Sequence, residues 1–136
     1  MPPYCLHGEP IGDPDMTPFF EAAYTWNAYC GATLFKTSCS DGDVRVNFVI
    51  FGPNASQKPT VVGEHSVQCG YASHAIGGEI FFKDSCAEFS YESSVHELGH
   101  ALGLVHKEGT VMNAVLDRNL PFDQKTELQE LFFPCD

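Results

Sequence analysis

The chain has 136 residues, of which 43% are hydrophobic and 12% aromatic. This is enough to bury one core, so a single domain over residues 1–136 is predicted and a disordered chain is not. Seven basic residues against eighteen acidic ones give a formal net charge of -11, which argues against nucleic acid and anionic membrane surfaces as partners, because both need a basic footprint.

The first predicted helix begins at Thr17-Pro18 and ends at Gly31. Threonine is a good N-cap, proline is favoured at the first helical position, and glycine commonly follows the last turn. Apolar residues recur at helical spacing between these ends and predict one buried face, made of Phe19, Ala22, Ala23, Trp26 and Cys30.

The middle of the chain is predicted to contribute strands. A short strand is expected over residues 32–37, and Asp41-Gly42 is a turn signal. From Val44 to Ile50 apolar residues alternate with others, which predicts a strand with one strongly buried face. An extended piece over residues 71–76 and a strand from Glu79 to Lys83 are expected to follow.

Two helices are predicted in the last third of the chain. Residues 91–104 have helical periodicity, and the side expected to face the core comprises Val95, Leu98, Leu102 and Val105. The final helix is expected to be capped by Asp123 and stopped by Pro134, with an apolar stripe of Leu128, Leu131 and Phe132. Strands in a run followed by helices predict an α+β domain.

The cysteines predict disulfides and an oxidising compartment. Their number is even, and no pair has the close C-x2-C spacing of a zinc knuckle. Three disulfides in a secreted protein are therefore expected, with the pairing left open. The six are Cys5, Cys30, Cys39, Cys69, Cys86 and Cys135.

The segment HELGHALGLVH, residues 96–106, holds three of the six histidines. On a helix, His96 and His100 leave the same face one turn apart and can bind one zinc ion. Glu97 lies about 100° further around the helix, so it points beside the metal, as suits a base acting on metal-bound water. Gly103 can adopt a positive φ and turn the chain, which would bring His106 back as the third ligand.

The alternative interpretation is an ordinary buried helix whose histidines are hydrogen-bonded. Nothing structural requires His, Glu and Gly at these spacings, whereas a catalytic zinc site has a use for each of them. The pattern HExxHxxGxxH, followed by Met112 in GTVMN over residues 109–113, resembles the signature of the metzincin metallopeptidases. The resemblance implies that Met112 belongs to a Met-turn, an apolar floor under the ligand histidines.

Among metzincins the chain most resembles the matrixin branch, over about residues 17–133. The likeness is carried by the helix with Trp26, the strand over residues 43–51, the segment ASHAIGGEIFF and the last helix. It implies an α+β fold with an N-terminal helix, a small twisted mixed sheet whose edge strand borders the cleft, a zinc-binding active-site helix, a Met-turn and a C-terminal helix. It also implies that the edge strand binds extended substrate through Ala72, Ser73, His74 and Ala75.

Departures from the matrixins bear on further metals. His74 matches a histidine of their structural zinc site, but Phe81 stands where its partner would be, and Lys83 stands where an acid would help to hold calcium. No structural zinc is therefore predicted, a calcium site is doubtful, and His74 and His65 are expected to be ordinary polar histidines. No counterpart of the first matrixin strand is evident before Thr17.

The resemblance implies a secreted, monomeric zinc endopeptidase that acts on protein or peptide substrates. One catalytic zinc held by the three histidines would activate a water molecule, with Glu97 as general base and then general acid. The wall of an apolar specificity pocket is expected after Met112, over Ala114, Val115 and Leu116. The alternative is a zinc-binding peptide-recognition module or toxin of the same fold with narrow or negligible proteolysis, and Glu97 argues against it because a mere binder does not need that residue.

Overall fold

The computed structural model of the protein describes residues 3–51, 54, 70–72, 79–83, 90–115, 117–131 and 135–136. Within these ranges the chain forms three helices and one sheet, so the predicted mixture of α and β elements is confirmed. Each described helix is too short or too polar to serve as a membrane span. In chain order the elements are β1 (Tyr4–Ile11), α1 (Thr17–Cys30), β2 (Phe35–Lys36), β3 (Arg45–Phe51), β4 (Gly70–Ala72), β5 (Glu79–Lys83), α2 (Ser90–Ala101) and α3 (Lys125–Leu131).

The sheet has the strand order β2-β1-β3-β5-β4. Its three longest strands, β1, β3 and β5, run parallel, and β4 pairs antiparallel with β5, so the sheet is mixed as predicted. Among the described strands β4 lies at the edge, where it packs against α2. It contains the start of the extended piece predicted over residues 71–76, and the rest of that piece lies outside the described residues.

Strand β1 precedes Thr17, in a part of the sequence where no counterpart of the first matrixin strand is evident. Its first residues, Tyr4, Cys5 and Leu6, are buried in the core. Pro10 makes the segment look unlike a strand, because proline donates no ladder hydrogen bond. Strand β2 pairs with only the first two residues of β1, so Pro10 lies where β1 has a partner on one side alone and proline is tolerated.

Helix α1 packs its predicted apolar face into the core, and all five residues of that face are buried. The indole Nε1 of Trp26 donates a hydrogen bond to Val95 O at 2.9 Å, which joins α1 to α2. Gly31 ends the helix as predicted, with a φ of 79°. Thr17 lies inside the helix rather than at its N-cap, and its N–H donates to the Asp15 carboxylate at 3.0 Å.

Helix α2 ends earlier than the predicted segment 91–104. Val95, Leu98 and Leu102 are buried as expected, but Val105 is 70% exposed, so its predicted place in the core is wrong. The helix has ended by that point and the chain has turned, so helical spacing no longer applies. Leu104, which is 3% exposed, occupies the core position instead.

Helix α3 starts two residues after Asp123, its predicted cap. Leu128 is buried as expected, whereas Leu131 is 44% exposed and departs from the predicted stripe. The Leu131 side chain lies beside Gly103, at the surface turn that follows α2. Phe132 lies outside the described residues.

Two disulfides cross-link the described part of the chain. Cys5 is bonded to Cys39, and Cys30 is bonded to Cys135. The second bond joins the end of α1 to the C-terminal segment, 105 residues away. The other two cysteines lie outside the described residues, so the predicted set of three disulfides is confirmed for two.

Candidate metal centre

Three histidine rings converge beside the C-terminal end of α2. The ring centroids of His96 and His100 are 4.7 Å apart, those of His96 and His106 are 5.2 Å apart, and those of His100 and His106 are 4.9 Å apart. One ring nitrogen from each histidine lies within 4.8 Å of the other two. This cluster, called the three-histidine cluster below, could hold a metal ion.

Helix α2 places the first two of these rings. His96 and His100 are four residues apart, so their side chains leave the helix on one face. Both are buried, and their Nε2 atoms are 3.1 Å apart. Two nitrogens bound to one tetrahedral zinc ion would be about 3.3 Å apart, so the pair is already close to ligand spacing.

A turn at Gly103 brings the third ring back to the first two. Gly103 has a φ of 97°, in a region that is unfavourable for any residue with a Cβ atom. The Gly103 N–H donates to His100 O at 2.9 Å, and the Leu104 N–H donates to Gly99 O at 3.0 Å, which closes the end of the helix. His106 follows this turn and is the one exposed member of the cluster.

Backbone carbonyl groups fix the orientation of the two buried rings. His96 Nδ1 lies 3.1 Å from Val111 O, and His100 Nδ1 lies 2.8 Å from Leu104 O. A carbonyl oxygen only accepts, so each Nδ1 is the protonated nitrogen and each Nε2 carries a lone pair. Two lone pairs that face each other at 3.1 Å repel unless a cation lies between them. The pair therefore suits a shared cation, either a proton or a metal ion, and the histidine ligands of metals commonly donate their other N–H to a carbonyl.

Met112 lies beneath this part of α2 and is fully buried. It packs at Gly99, where an added Cβ would overlap Met112 Sδ and come within 3.1 Å of Trp26 Cζ2. Glycine at this position therefore lets the methionine and the tryptophan approach the helix backbone closely. The result is an apolar layer under the turn that carries the two buried histidines.

Replacing Gly99 with Ala is expected to destabilise the protein by about 1–3 kcal/mol, because an overpacked core forces side chains off their rotamers. Helix propensity favours alanine over glycine by about 1 kcal/mol, so a net loss of stability would have to come from the steric conflict. Denaturant unfolding measures the effect. In a Met112→Ala background the new methyl group has more room, so the loss should shrink. Equal losses in both backgrounds would contradict the contact assigned to Met112.

The Thr110 hydroxyl holds the loop that follows the third histidine. It donates to Lys107 O at 2.8 Å, and it accepts from the Met112 N–H at 3.1 Å and from Gln124 Nε2 at 2.7 Å. Gln124 is 1% exposed, and its own N–H donates to the Tyr29 hydroxyl at 2.9 Å. Gln124 therefore ties this loop to α1, and sequence reasoning missed it because no local pattern marks a buried glutamine.

Replacing Gln124 with Ala is expected to lower the free energy of unfolding by about 2–3 kcal/mol, because it removes buried volume and hydrogen bonds together. The loop that carries the third histidine should also loosen, so metal affinity should fall. Denaturant unfolding and metal titration measure the two effects. Gln129, exposed on α3, is the matched control, and its replacement should change stability by less than about 0.5 kcal/mol. Similar losses in the two variants would exclude a special role for Gln124.

Glu97 follows His96 on α2 and is 7% exposed. Burial raises the pKa of its carboxyl group to about 7. Its oxygen atoms are not among the converging ligand atoms, as expected for a side chain about 100° further around the helix. A buried carboxyl group that adjoins the cluster in the helix without belonging to it is available to exchange a proton.

The residues predicted to bind substrate lie at two places in the fold. Ala72 is the last residue of the edge strand β4. Ala114 and Val115 follow Met112 and are both exposed, Val115 by 72%. Their contacts with substrate stay a prediction. Five further residues named from the sequence lie outside the described ranges: Ser73, His74, Ala75, Leu116 and His65.

A cavity of about 350 Å³ lies next to α2, close to the residues that neighbour His96, although none of the three histidines lines it. Val95 and Val111 form part of its wall. Val95 precedes His96 in α2, and Val111 O accepts the hydrogen bond from His96 Nδ1. Ala114 and Val115 are predicted to form the pocket wall after Met112. In this cavity the wall is formed instead by the residues on either side of them, which include Asn113 and Asp117.

The three-histidine cluster, the buried Glu97 and the adjoining cavity are the features from which a function can be inferred. Compared with known proteins, the chain matches no family model, and no curated protein matches it.

Proposed function

We propose that the protein is a zinc-dependent endopeptidase of the metzincin type. The observation that carries the proposal is the convergence of three histidine nitrogens, two of them on rings whose Nδ1 atoms are already engaged by carbonyl groups. Among the described residues no fourth protein ligand joins the cluster. Three ligands are typical of catalytic zinc sites, whereas structural sites are closed by four.

Zinc is the metal that suits this donor set best. Imidazole nitrogens are among its common ligands, and oxygen-seeking ions such as calcium prefer carboxylates and carbonyls. The ion would be held by His96, His100 and His106. Bound there, it would supply Lewis acidity to a peptide carbonyl and to a water molecule.

We assign the proton transfers to Glu97. Its carboxylate would accept a proton from the attacking water and then give it to the amine nitrogen as the peptide C–N bond breaks. Its burial keeps bulk water away from the group. A zinc-binding peptide-recognition module would share the three histidines but would have no use for this carboxylate, so Glu97 favours the enzyme.

The edge strand of the sheet supports the proposal, because an extended peptide could pair with it. Among the described strands β4 has a partner on one side only, β5, and it packs next to α2. A substrate strand could pair with its other side, where backbone hydrogen bonds would hold the chain and leave its side chains to be selected by cavities. Ala72 would take part in that pairing.

The two disulfides support secretion as part of the proposal. Disulfides persist in oxidising compartments and are rare in the reducing cytosol. Cys5–Cys39 ties β1 to the segment after β2, and Cys30–Cys135 ties the chain end to α1. A secreted peptidase gains from such cross-links because it works without intracellular chaperones.

Metal analysis combined with digestion of an unfolded protein tests the proposed function. We expect one zinc ion per chain, cleavage of the unfolded protein, loss of cleavage with a chelator and recovery when zinc is returned. A mixed peptide library then separates broad from narrow cleavage. Tight zinc binding without cleavage of any substrate would refute the endopeptidase and favour the recognition module.

A further inference from the structure

We propose that the cavity beside the three-histidine cluster selects a lysine or arginine side chain of the substrate, with Glu92 and Asp117 as the residues that determine this specificity. The inference rests on the proposed endopeptidase function, to which it adds a substrate class.

The cavity is placed to receive a side chain close to the reacting bond. Val95 and Val111 belong both to its wall and to the immediate surroundings of His96. A peptide whose carbonyl group lies at the three-histidine cluster would therefore have a neighbouring side chain at the cavity. The volume of about 350 Å³ lies within the range of cavities that enclose small ligand groups.

Much of the wall is apolar, with Val95, Val111, Leu120 and Phe122 among its residues. Such a wall suits the methylene stem of a lysine or arginine, which packs against apolar surface while its charged end stays with polar groups. The cavity therefore offers apolar surface, but it is not purely apolar.

Two carboxylates give the cavity its charge. Glu92 comes from the first turn of α2, and Asp117 comes from the segment between Met112 and α3. The described residues that line the cavity include no lysine or arginine. Two acids from separate elements therefore reach one cavity whose described lining contains no lysine or arginine.

Two other polar side chains of the wall are already engaged. The Tyr91 hydroxyl donates to Thr25 Oγ1 at 3.0 Å. Asn113 Oδ1 accepts the Gly109 N–H at 3.0 Å, and its Nδ2 donates to Val115 O at 2.8 Å. Asp117 Oδ1 also accepts the backbone N–H of Arg118 at 2.7 Å. A carboxylate has several acceptor sites, so the two acids are still the strongest acceptors that the cavity can offer to a ligand.

The charge of the cavity discriminates among substrate side chains. A guanidinium or ammonium group would form charge-assisted hydrogen bonds with the carboxylates. A glutamate side chain would be repelled by the like charges. A leucine side chain would pack against the apolar wall, but it would desolvate the carboxylates without giving them a hydrogen bond. The net charge of -11 also draws cationic peptides to the protein.

Peptide binding to zinc-loaded Glu97→Gln protein tests the inference without relying on turnover. The probes are three fluorescent peptides that differ only in one central residue, which is Arg, Leu or Glu. We expect the Arg peptide to bind about tenfold more tightly than the Leu peptide, and the Glu peptide to bind most weakly. Adding Glu92→Gln and Asp117→Asn should remove the Arg preference. Adding Glu108→Gln, an exposed acid two residues after the third histidine, should leave it unchanged.

The possible outcomes separate this inference from the proposed function. Equal binding of the three peptides, or an Arg preference that survives the double substitution, would overturn the assignment of the cavity. An Arg preference that depends on both acids, with no cleavage by the zinc-loaded wild type, would overturn the endopeptidase and leave the cavity assignment standing. Cleavage by the wild type with a preference for Leu would overturn the cavity assignment and leave the endopeptidase standing.

Discussion

The Glu97→Gln protein is expected to fold and bind zinc like the wild type but to hydrolyse peptides about 100- to 10,000-fold more slowly. Glutamine has nearly the size of glutamate, so a position that is 7% exposed stays filled. Its amide can neither accept a proton from water nor pass one to the leaving amine. Because the Glu97 carboxylate is not among the converging ligand atoms, the metal content should not change.

Steady-state cleavage of a fluorogenic peptide, with metal analysis and circular dichroism on the same samples, measures these three properties. Glu130→Gln is the matched control, since Glu130 is an exposed acid on α3 far along the chain from the cluster. We expect its kcat to equal that of the wild type. Cleavage by Glu97→Gln at the wild-type rate would remove Glu97 from the mechanism.

The three-histidine cluster could be predicted from the sequence because all of its determinants are local. Helix geometry puts His96 and His100 on one face, and a glycine with positive φ turns the chain so that His106 returns. These features lie within eleven consecutive residues. No contact with a distant part of the chain is needed to foresee that the three rings meet.

The support of the site could not be foreseen in the same way, because it depends on distant segments. The Gln124 side chain donates to the Thr110 hydroxyl and its backbone N–H donates to the Tyr29 hydroxyl. Nothing around Gln124 in the sequence distinguishes it from an exposed glutamine such as Gln129. Glu92 and Asp117 meet at one cavity although 25 residues separate them. Residue pairs of this kind can be identified only from the tertiary structure.

The errors in secondary structure also have physical causes. The periodicity that places Val95 and Leu98 in the core fails at Val105, because the helix has ended and the chain has turned. Strand β1 is not evident in the sequence, because Pro10 is unusual inside a strand, although the pairing of β1 with β2 stops before that residue. The first error arises because the point at which a helix ends is not marked by its periodicity. The second arises because the length over which a neighbouring strand pairs is not visible in the sequence.

The His106→Ala protein is expected to bind zinc more than about 100-fold more weakly than the wild type, because loss of an outer-shell partner alone costs 10- to 100-fold and this change removes a ligand. The substitution should leave the metal-free fold almost unchanged, within about 0.5 kcal/mol, since His106 is exposed. His100→Ala should differ. It would weaken zinc binding and also destabilise the metal-free protein by about 1–3 kcal/mol, because Leu104 O would lose its buried partner.

Thermal unfolding with and without zinc separates a ligand role from a structural one. A ligand that binds only the folded state at 1,000 times its Kd adds about 4 kcal/mol of stability, so zinc should raise the Tm of the wild type strongly. That rise should persist in His7→Ala, which removes an exposed histidine of β1, and should vanish in His106→Ala. The metal-free Tm should be the same in all three proteins. A full zinc complement and an undiminished rise in Tm in His106→Ala would mean that two histidines suffice. The convergence of the third ring would then be incidental, and with it the open three-ligand site on which hydrolysis depends.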